Sequence, residues 1–250
     1  MNDNPLSCVA LIPARSGSKR IKDKNIRCLN GHPLLAYSIC SAIDSGVFDK
    51  VVCITDSQKY ADIAMYYGAE VPKLRPDNIS RDVSPDIEWV LWILKLYKEL
   101  NFDVISILRP TSPFRSIYTI QRAWKVFIEK RRAIDSLRAV EKCKQHPGKM
   151  WLLQKDVMTP VMPFFIEETP WHSSQYAALP EVYVQNASLE FSWVDRTISK
   201  RSISGDIIVP FFTKSYEGFD INTEEDLLLA ELYIKKNKNL LPNITLKNYY

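Results

Sequence analysis

Neither of the two familiar glycine-rich phosphate loops occurs in this chain. There is no G-x-x-x-x-G-K-[ST], and Gly17 stands alone in its segment, so G-x-G-x-x-G is absent as well. Cysteine is sparse and unpatterned. The five residues Cys8, Cys28, Cys40, Cys53 and Cys143 are odd in number and widely spaced, with no C-x-x-C and no Cys/His metal spacing. Three of them sit in apolar settings, so reduced thiols in a cytoplasmic protein are expected. No apolar run is long enough to span a bilayer, and residues 1–5 lack the basic start and apolar core of a signal peptide. A protein that is soluble, not exported and without a membrane partner is expected. Charge of one sign is also in short supply. A net charge of +4 over 250 residues is too small to argue for nucleic acid, whereas a basic pocket for an anionic substrate accounts for it. There is no internal repeat and no low-complexity tract.

What is present points to one globular domain over residues 1–250. Its 46% hydrophobic content is enough for one sizeable core. Residues 8–12, CVALI, have the length and character of a buried parallel strand. At Pro13 the character changes. Between Arg15 and Lys24, five of ten residues are Arg or Lys, with Ser16, Gly17 and Ser18 among them. A loop at the carboxyl end of a first strand is where open α/β sheets place ligands. Cations and exposed backbone N–H groups there suit a di- or triphosphate. The alternative is a solvated basic turn, against which stand the strand before it and the amphipathic helix start after it.

Downstream, helical and strand patterns alternate. Helices are expected at 33–44, 58–67, 87–100, 117–130 and 224–235, and strands at 51–55, 104–108, 136–140 and 206–212. A short edge strand is read at 69–73, with Pro72 barring it from a central position. Asp56 is read as a helix cap, and Thr223 as another, followed by Glu224, Glu225 and Asp226. The alternation is that of a doubly wound, mainly parallel sheet. Residues 143–180 break it. Pro147, Pro160, Pro163 and Pro170 make a regular helix improbable there, and an irregular lid or partner-binding arm is expected. Two further strands, at 182–186 and 188–193, follow it, and residues 237–250 read as a polar tail.

The segment from Leu11 to Asn25, LIPARSGSKRIKDKN, resembles the nucleotide-binding signature of the acylneuraminate cytidylyltransferases, the CMP-sialic acid synthetase family. Three later segments do so too. Residues 108–115, LRPTSPFR, resemble the family's L-Q-P-T-S-P-L-R; His146-Pro147 and residues 183–187, YVQNA, resemble its sugar-acid segments; residues 218–227, GFDINTEEDL, resemble D-I-D-T-x-x-D-L. The matches keep the family's order and cover 8–234.

The resemblance implies a Rossmann-like nucleotidyltransferase fold and transfer of CMP from CTP to the anomeric 2-hydroxyl of a nonulosonic sugar acid, with Mg²⁺ as cofactor. It implies catalytic roles for Arg15, Lys19 and Asp220. Ala14, Arg15, Ser18, Lys24, Asn25, Arg75, Arg109, Thr111 and Ser112 would bind the nucleotide. Asn186, Gln185 and His146 would meet the sugar acid, and Asp220 with Asn222 the metal. It further implies a homodimer joined through the insertion, serving surface-glycan assembly.

Three departures matter. Asn222 replaces the second family aspartate, which leaves Asp226 as a substitute ligand or simply as a first-turn helix acid. Arg109 replaces a glutamine and cannot accept a hydrogen bond from cytosine's amine. No arginine precedes Asn186 between Trp171 and that residue. A uridylyltransferase and a catalytically silent nucleotide-binding subunit therefore stay open. His32 and His172 are read as surface or packing residues, and Trp151, Phe164, Phe165 and Trp171 as arm or lid packing rather than a base-stacking platform.

Overall fold

A computed structural model describes residues 6–130 and 133–250. The chain divides into two compact units. One takes the chain up to Ala139 and again from Asn186 to Tyr250; the other is Val140–Gln185.

The first unit is built on β1 (Cys8–Pro13), followed by α1 (Leu34–Ser45), β2 (Lys50–Ile54), α2 (Gln58–Tyr66), α3 (Asp86–Leu96), β3 (Val104–Ile107) and α4 (Ile117–Lys130). After these come β4 (Ser136–Lys142) and, within the second unit, β5 (Trp151–Gln154) and β6 (Val157–Pro160). The remaining elements are β7 (Tyr183–Trp193), α5 (Val194–Lys200), β8 (Ile208–Phe212) and α6 (Glu224–Lys236). The six-stranded sheet runs β8-β4-β7-β3-β1-β2. β1 pairs in parallel with β2 and with β3, while β7 lies antiparallel to β3.

Side chains alternate along β1. Cys8, Ala10 and Ile12 enter one apolar cluster with α1, α2 and α4, and Val9 and Leu11 enter another with Trp89, Val90 and Ile93 of α3. Both faces are therefore covered, as a doubly wound sheet requires. The connections from β1 go to β2 on one side and, through β2, to β3 on the other. Strand order reverses at β1, and the crevice beyond its carboxyl end is the place this topology reserves for a ligand.

Several sequence expectations need correcting. Asp56 does not cap α2; Ser57 does, its Oγ accepting from Tyr60 N at 3.5 Å, and Asp56 turns to the first loop instead. Residues 69–73 form no strand beyond a single bridge, Val52 to Glu70. The third helix ends at Leu96, and Lys98–Leu100 make a separate 3₁₀ turn. The two strands expected at 182–186 and 188–193 are one continuous strand, β7, from Tyr183 to Trp193. The tail is not merely polar: Leu240, Leu241 and Ile244 pack on the cluster around Leu227 and Ile234, and Tyr66 Oη donates to the Lys247 carbonyl at 3.0 Å.

The second unit is also more regular than expected. β5 and β6 form an antiparallel hairpin, and Phe165–Ile166 pairs with Thr169–Pro170. Lys149 Nζ donates to the carbonyls of Ser174 (2.6 Å) and His172 (3.0 Å), which ties its turns together. The His172 and Trp151 rings lie 4.7 Å apart, tilted by 49°, and in the first unit His32 Nδ1 lies 3.0 Å from Tyr67 Oη. Both histidines have the packing roles expected of them. Cys8, Cys40 and Cys53 are buried, and all five thiols are free. Among the described residues no helix is long and apolar enough to cross a membrane.

Candidate active site

At the carboxyl ends of β1 and β3 the first unit opens into a cleft of about 290 Å³. The first loop lines it with Pro13, Arg15, Ser18, Lys19, Arg20, Ile21, Lys24 and Asn25. The segment after β2 contributes Arg75, Arg81, Asp82, Ser84 and Asp86; Arg109, Pro110 and Thr111 follow β3, and Ala187, Asp220 and Asn222 complete the wall. Seven Arg or Lys side chains thus face three Asp carboxylates, which makes the cleft an anion site. A larger groove of about 780 Å³ lies at the amino end of β3 around Tyr97, Phe102 and Trp193, but it holds only two cations, Lys98 and Arg196.

The loop is shaped from its own backbone. Ala14 is fully buried, its N–H donated to the Ile54 carbonyl at 2.9 Å, which prolongs the β1–β2 pairing by one residue. Asn25, also buried, donates from Nδ2 to the Arg15 carbonyl at 2.9 Å. Asp56 takes both the N–H (2.6 Å) and the Oγ (3.1 Å) of Ser16. Gly17 has φ 70°, a left-handed conformation that costs glycine nothing. Arg15 and Lys19 are then presented outward, and both pair with Asp82, at 2.5 and 2.6 Å. Hydrogen bonds from Lys19 and then Arg15 hold the Asp82 carboxyl below its usual range.

Two more ties join distant segments. Ile221 N donates to the Thr111 carbonyl at 2.8 Å, bringing the segment that carries Asp220 against the loop after β3. Lys24 Nζ donates to Asn222 Oδ1 at 3.2 Å, and Asn222 Nδ2 donates in turn to Asp220 Oδ2. Burial lowers the Lys24 pKa, with Asp220 opposing that effect. Asp220 Oδ1 is buried and, among the described residues, has no hydrogen-bond partner. An orphaned carboxylate oxygen in a cationic cleft fits a hard divalent cation. Mg²⁺ takes one or two carboxylates and completes its octahedron with water and phosphate oxygens. No group of three or more His, Cys, Asp or Glu residues that could hold a metal occurs among the described residues. The donor set therefore fits Mg²⁺ brought in with phosphates, not an all-protein cage. Asp226 is engaged elsewhere. Its Oδ2 accepts from Asn222 N (2.8 Å) and Thr223 N (2.9 Å) in a capping box at the start of α6.

The remaining residues singled out by sequence are placed as follows. Arg75 lines the cleft and donates from Nε to the Ile79 carbonyl at 2.8 Å. Ser112 is buried and is not among the residues that line the cleft, whereas Thr111 is. Asn186 Nδ2 donates to Thr213 Oγ1 at 2.9 Å, and its Oδ1 accepts from Ser188 N at 3.2 Å. Gln185 and His146 belong to the second unit. There His146 Nδ1 accepts from Gly148 N at 3.0 Å, so its proton sits on Nε2, 3.0 Å from the Pro180 carbonyl. Sequence reasoning did not single out Ser84, and it gave Arg20, Arg81, Asp82, Asp86 and Ala187 no individual role. The acids are found only through their partners. Asp82 and Arg15 are far apart in the chain, and no local spacing announces their pairing.

A sheet with a ligand crevice at its switch point, closed by cations and one orphaned carboxylate, defines a nucleotide-binding α/β domain of the nucleotidyltransferase kind. A sequence profile of the cytidylyltransferase family matches residues 9–145. The chain is 30% identical over 240 residues to the CMP-N,N'-diacetyllegionaminic acid synthase of Legionella pneumophila, covering 93% of this chain and 98% of that one. It is 39% identical over 139 residues to the N-acylneuraminate cytidylyltransferase of Escherichia coli, covering 55% of this chain and 32% of that longer protein. A solved structure of CMP:2-keto-3-deoxy-manno-octonic acid synthetase complexed with CTP shares the fold at a TM-score of 0.67 and 13% identity, covering 92% of this chain and 99% of that one. The chain belongs to the cytidylyltransferase family.

Proposed function

We propose that this protein transfers CMP from CTP to the anomeric 2-hydroxyl of a nonulosonic acid, releasing pyrophosphate. One observation carries the reading: the first-loop cations and Asp220 line one cleft at the carboxyl ends of β1 and β3. The full-length match to a legionaminic acid synthase supports the choice of acid class.

The chemistry asks the protein chiefly to position two reactants and neutralise charge. Arg15 and Lys19 exchange their shared Asp82 carboxylate for phosphate oxygens, and Ser18, Lys24 and Asn25 line the same path. Lys19, 81% exposed and on a flexible stem, follows charge as it moves onto the leaving pyrophosphate. Arg75 and Thr111 frame the nucleoside end. Asp220 would hold Mg²⁺, and the chemistry the metal would supply there is polarisation of the phosphoryl oxygens. Asn222, bonded to both Lys24 and Asp220, keeps the carboxylate and the nearest cation in register. Asn186, Gln185 and His146 are assigned to the sugar acid on the family resemblance.

The exposed apolar side chains of the second unit support a homodimer. Leu152, Leu153, Val157, Met158 and Phe165 are each more than half exposed, an apolar surface that calls for a cover. A cytoplasmic location and a product destined for surface glycans complete the reading.

The test is pyrophosphate release from CTP and Mg²⁺ with a panel of sialic, legionaminic and pseudaminic acids. Turnover with at least one acid, lost on chelation of Mg²⁺, is expected. Tight CTP binding with no release on any acid would instead favour a silent nucleotide-binding subunit.

A further inference from the structure

Helix α6 is apolar on two sides. Leu227, Ala230 and Ile234 face inward and join the buried cluster of Leu29, Leu34 and Tyr37. At about 100° per residue, Glu225, Leu228, Leu229, Leu232, Lys235 and Lys236 fall on the opposite side. The three leucines there are 66%, 37% and 46% exposed. A surface helix keeps its outer face polar, whereas one that is apolar on both sides is a helix built to be covered on both. Tyr216 carries the patch past Leu229. It is 36% exposed, and its ring lies 4.6 Å from that of Tyr233, one turn on from Leu229.

The order of residues along this face names what covers it. From the amino to the carboxyl end it runs acid, three leucines, two lysines. Acids at the start and lysines at the end suit the helix dipole, but the dipole makes no demand on which side of the helix they take. Glu225, Lys235 and Lys236 are exposed and, among the described residues, make no ion pair within the chain. Glu224, off this face, pairs with Arg27 at 3.5 Å. A face with this order is complementary to itself turned end for end. About a two-fold axis, Leu228 meets the partner's Leu232, and Glu225 meets the partner's Lys235 with Lys236 beside it. The axis repeats each contact, so a leucine seam is closed by opposite charges at both ends. A parallel copy would set like charge against like, and a neutral apolar partner would leave all three charges unanswered.

We propose that the outer face of α6 is a second site of self-association, pairing antiparallel with α6 of another copy of this chain. It is distinct from the exposed apolar residues of the second unit, and it does not depend on the proposed reaction. α6 has 13 residues and is about 20 Å long. A contact of that length falls short of the ~1,200 Å² that stable complexes bury. The pairing is therefore a weak step, with half-association on the order of 100 μM, that joins copies already assembled through the second unit.

Sedimentation from about 5 μM to about 500 μM brackets that scale. Wild type should be a dimer at the low end and pass to a tetramer at the high end. Leu153→Glu with Phe165→Glu, which lacks the second-unit contact, should pass from monomer to dimer over the same range. Leu228→Glu with Leu232→Glu should remain a dimer throughout. Glu225→Lys, and separately Lys235→Glu with Lys236→Glu, should each weaken the step by about tenfold or more, because like charges then meet at both ends. Mixed in equal amounts, these two variants should regain it, since the lysines of one then face the glutamates of the other. Every substitution on α6 lies on its exposed face, away from the Thr223–Asp226 capping box, and a thermal melt checks that each variant folds. Three results would each overturn the inference: no second step in wild type at the highest concentration, an undiminished step in folded Leu228→Glu with Leu232→Glu, or a mixture no better than either charge variant alone. None of them bears on nucleotide transfer, which pyrophosphate release reads separately.

Discussion

Asp82 is the residue on which the resting state of the proposed phosphate site turns. It accepts from Arg15 and Lys19 at once, in the place a triphosphate would take. Asp82→Asn should therefore tighten CTP several-fold in a calorimetric titration and weaken its salt dependence little, because the phosphate-binding cations remain. Lys19→Ala should act the other way and lower kcat/KM by about 100-fold or more, the scale of losing one preorganised charge at a transition state. Lys19 and Lys24 were legible in the sequence because motif and strand-end position coincide, and Asp220 through the motif resemblance alone. Asp82 and Asp86 were not, since an ion pair between distant segments leaves no periodicity to read. Asn222 shows the limit differently. Its residue type was visible, but its bonds to Lys24 and Asp220 depend on the Ile221–Thr111 contact that only the fold makes.

At the scale of elements, α6 and the turn before β8 can be tested separately. The capping box ties Thr223 and Asp226 together and also takes the N–H of Asn222. Thr223→Ala should cost about 1 kcal/mol, a fall of about 2–4 °C in Tm for a protein of this size, and should weaken Mg²⁺-dependent activity through the loosened Asp220 segment. Asp135 anchors the β8 turn through Lys200 at 2.6 Å and the N–H groups of Asp206 and Ile207. Those bonds, the Lys200 one first, draw its pKa down to about 2. Its contribution is complete above the unfolded value near 4 and is lost as pH falls toward 2. The Tm deficit of Asp135→Asn should accordingly be full at pH 6 and shrink at pH 2–3 in parallel melts.

The helices were readable because one face of each is apolar at helical spacing. The β5–β6 hairpin was not. Its strands are exposed on both faces, so no alternation of buried and polar residues marks them, and its turn puts Lys155, not Gly or Asn, in the left-handed region at φ 55°.

For the whole molecule, the cationic cleft of one unit and the apolar surface of the other each have their own test. Sedimentation of the wild-type chain should give a dimer, and Leu153→Glu with Phe165→Glu should give a folded monomer; a wild-type monomer at every concentration would contradict the assembly proposed. The central claim is that the first-loop cations and Asp220 act on one triphosphate. It is met most directly by titrating CTP into wild type, Lys19→Ala and Asp220→Asn, with and without Mg²⁺. Lys19→Ala should weaken CTP under both conditions, and Asp220→Asn should abolish the gain in affinity that Mg²⁺ gives wild type. Unchanged CTP affinity in Lys19→Ala, together with a full Mg²⁺ effect in Asp220→Asn, would contradict the account.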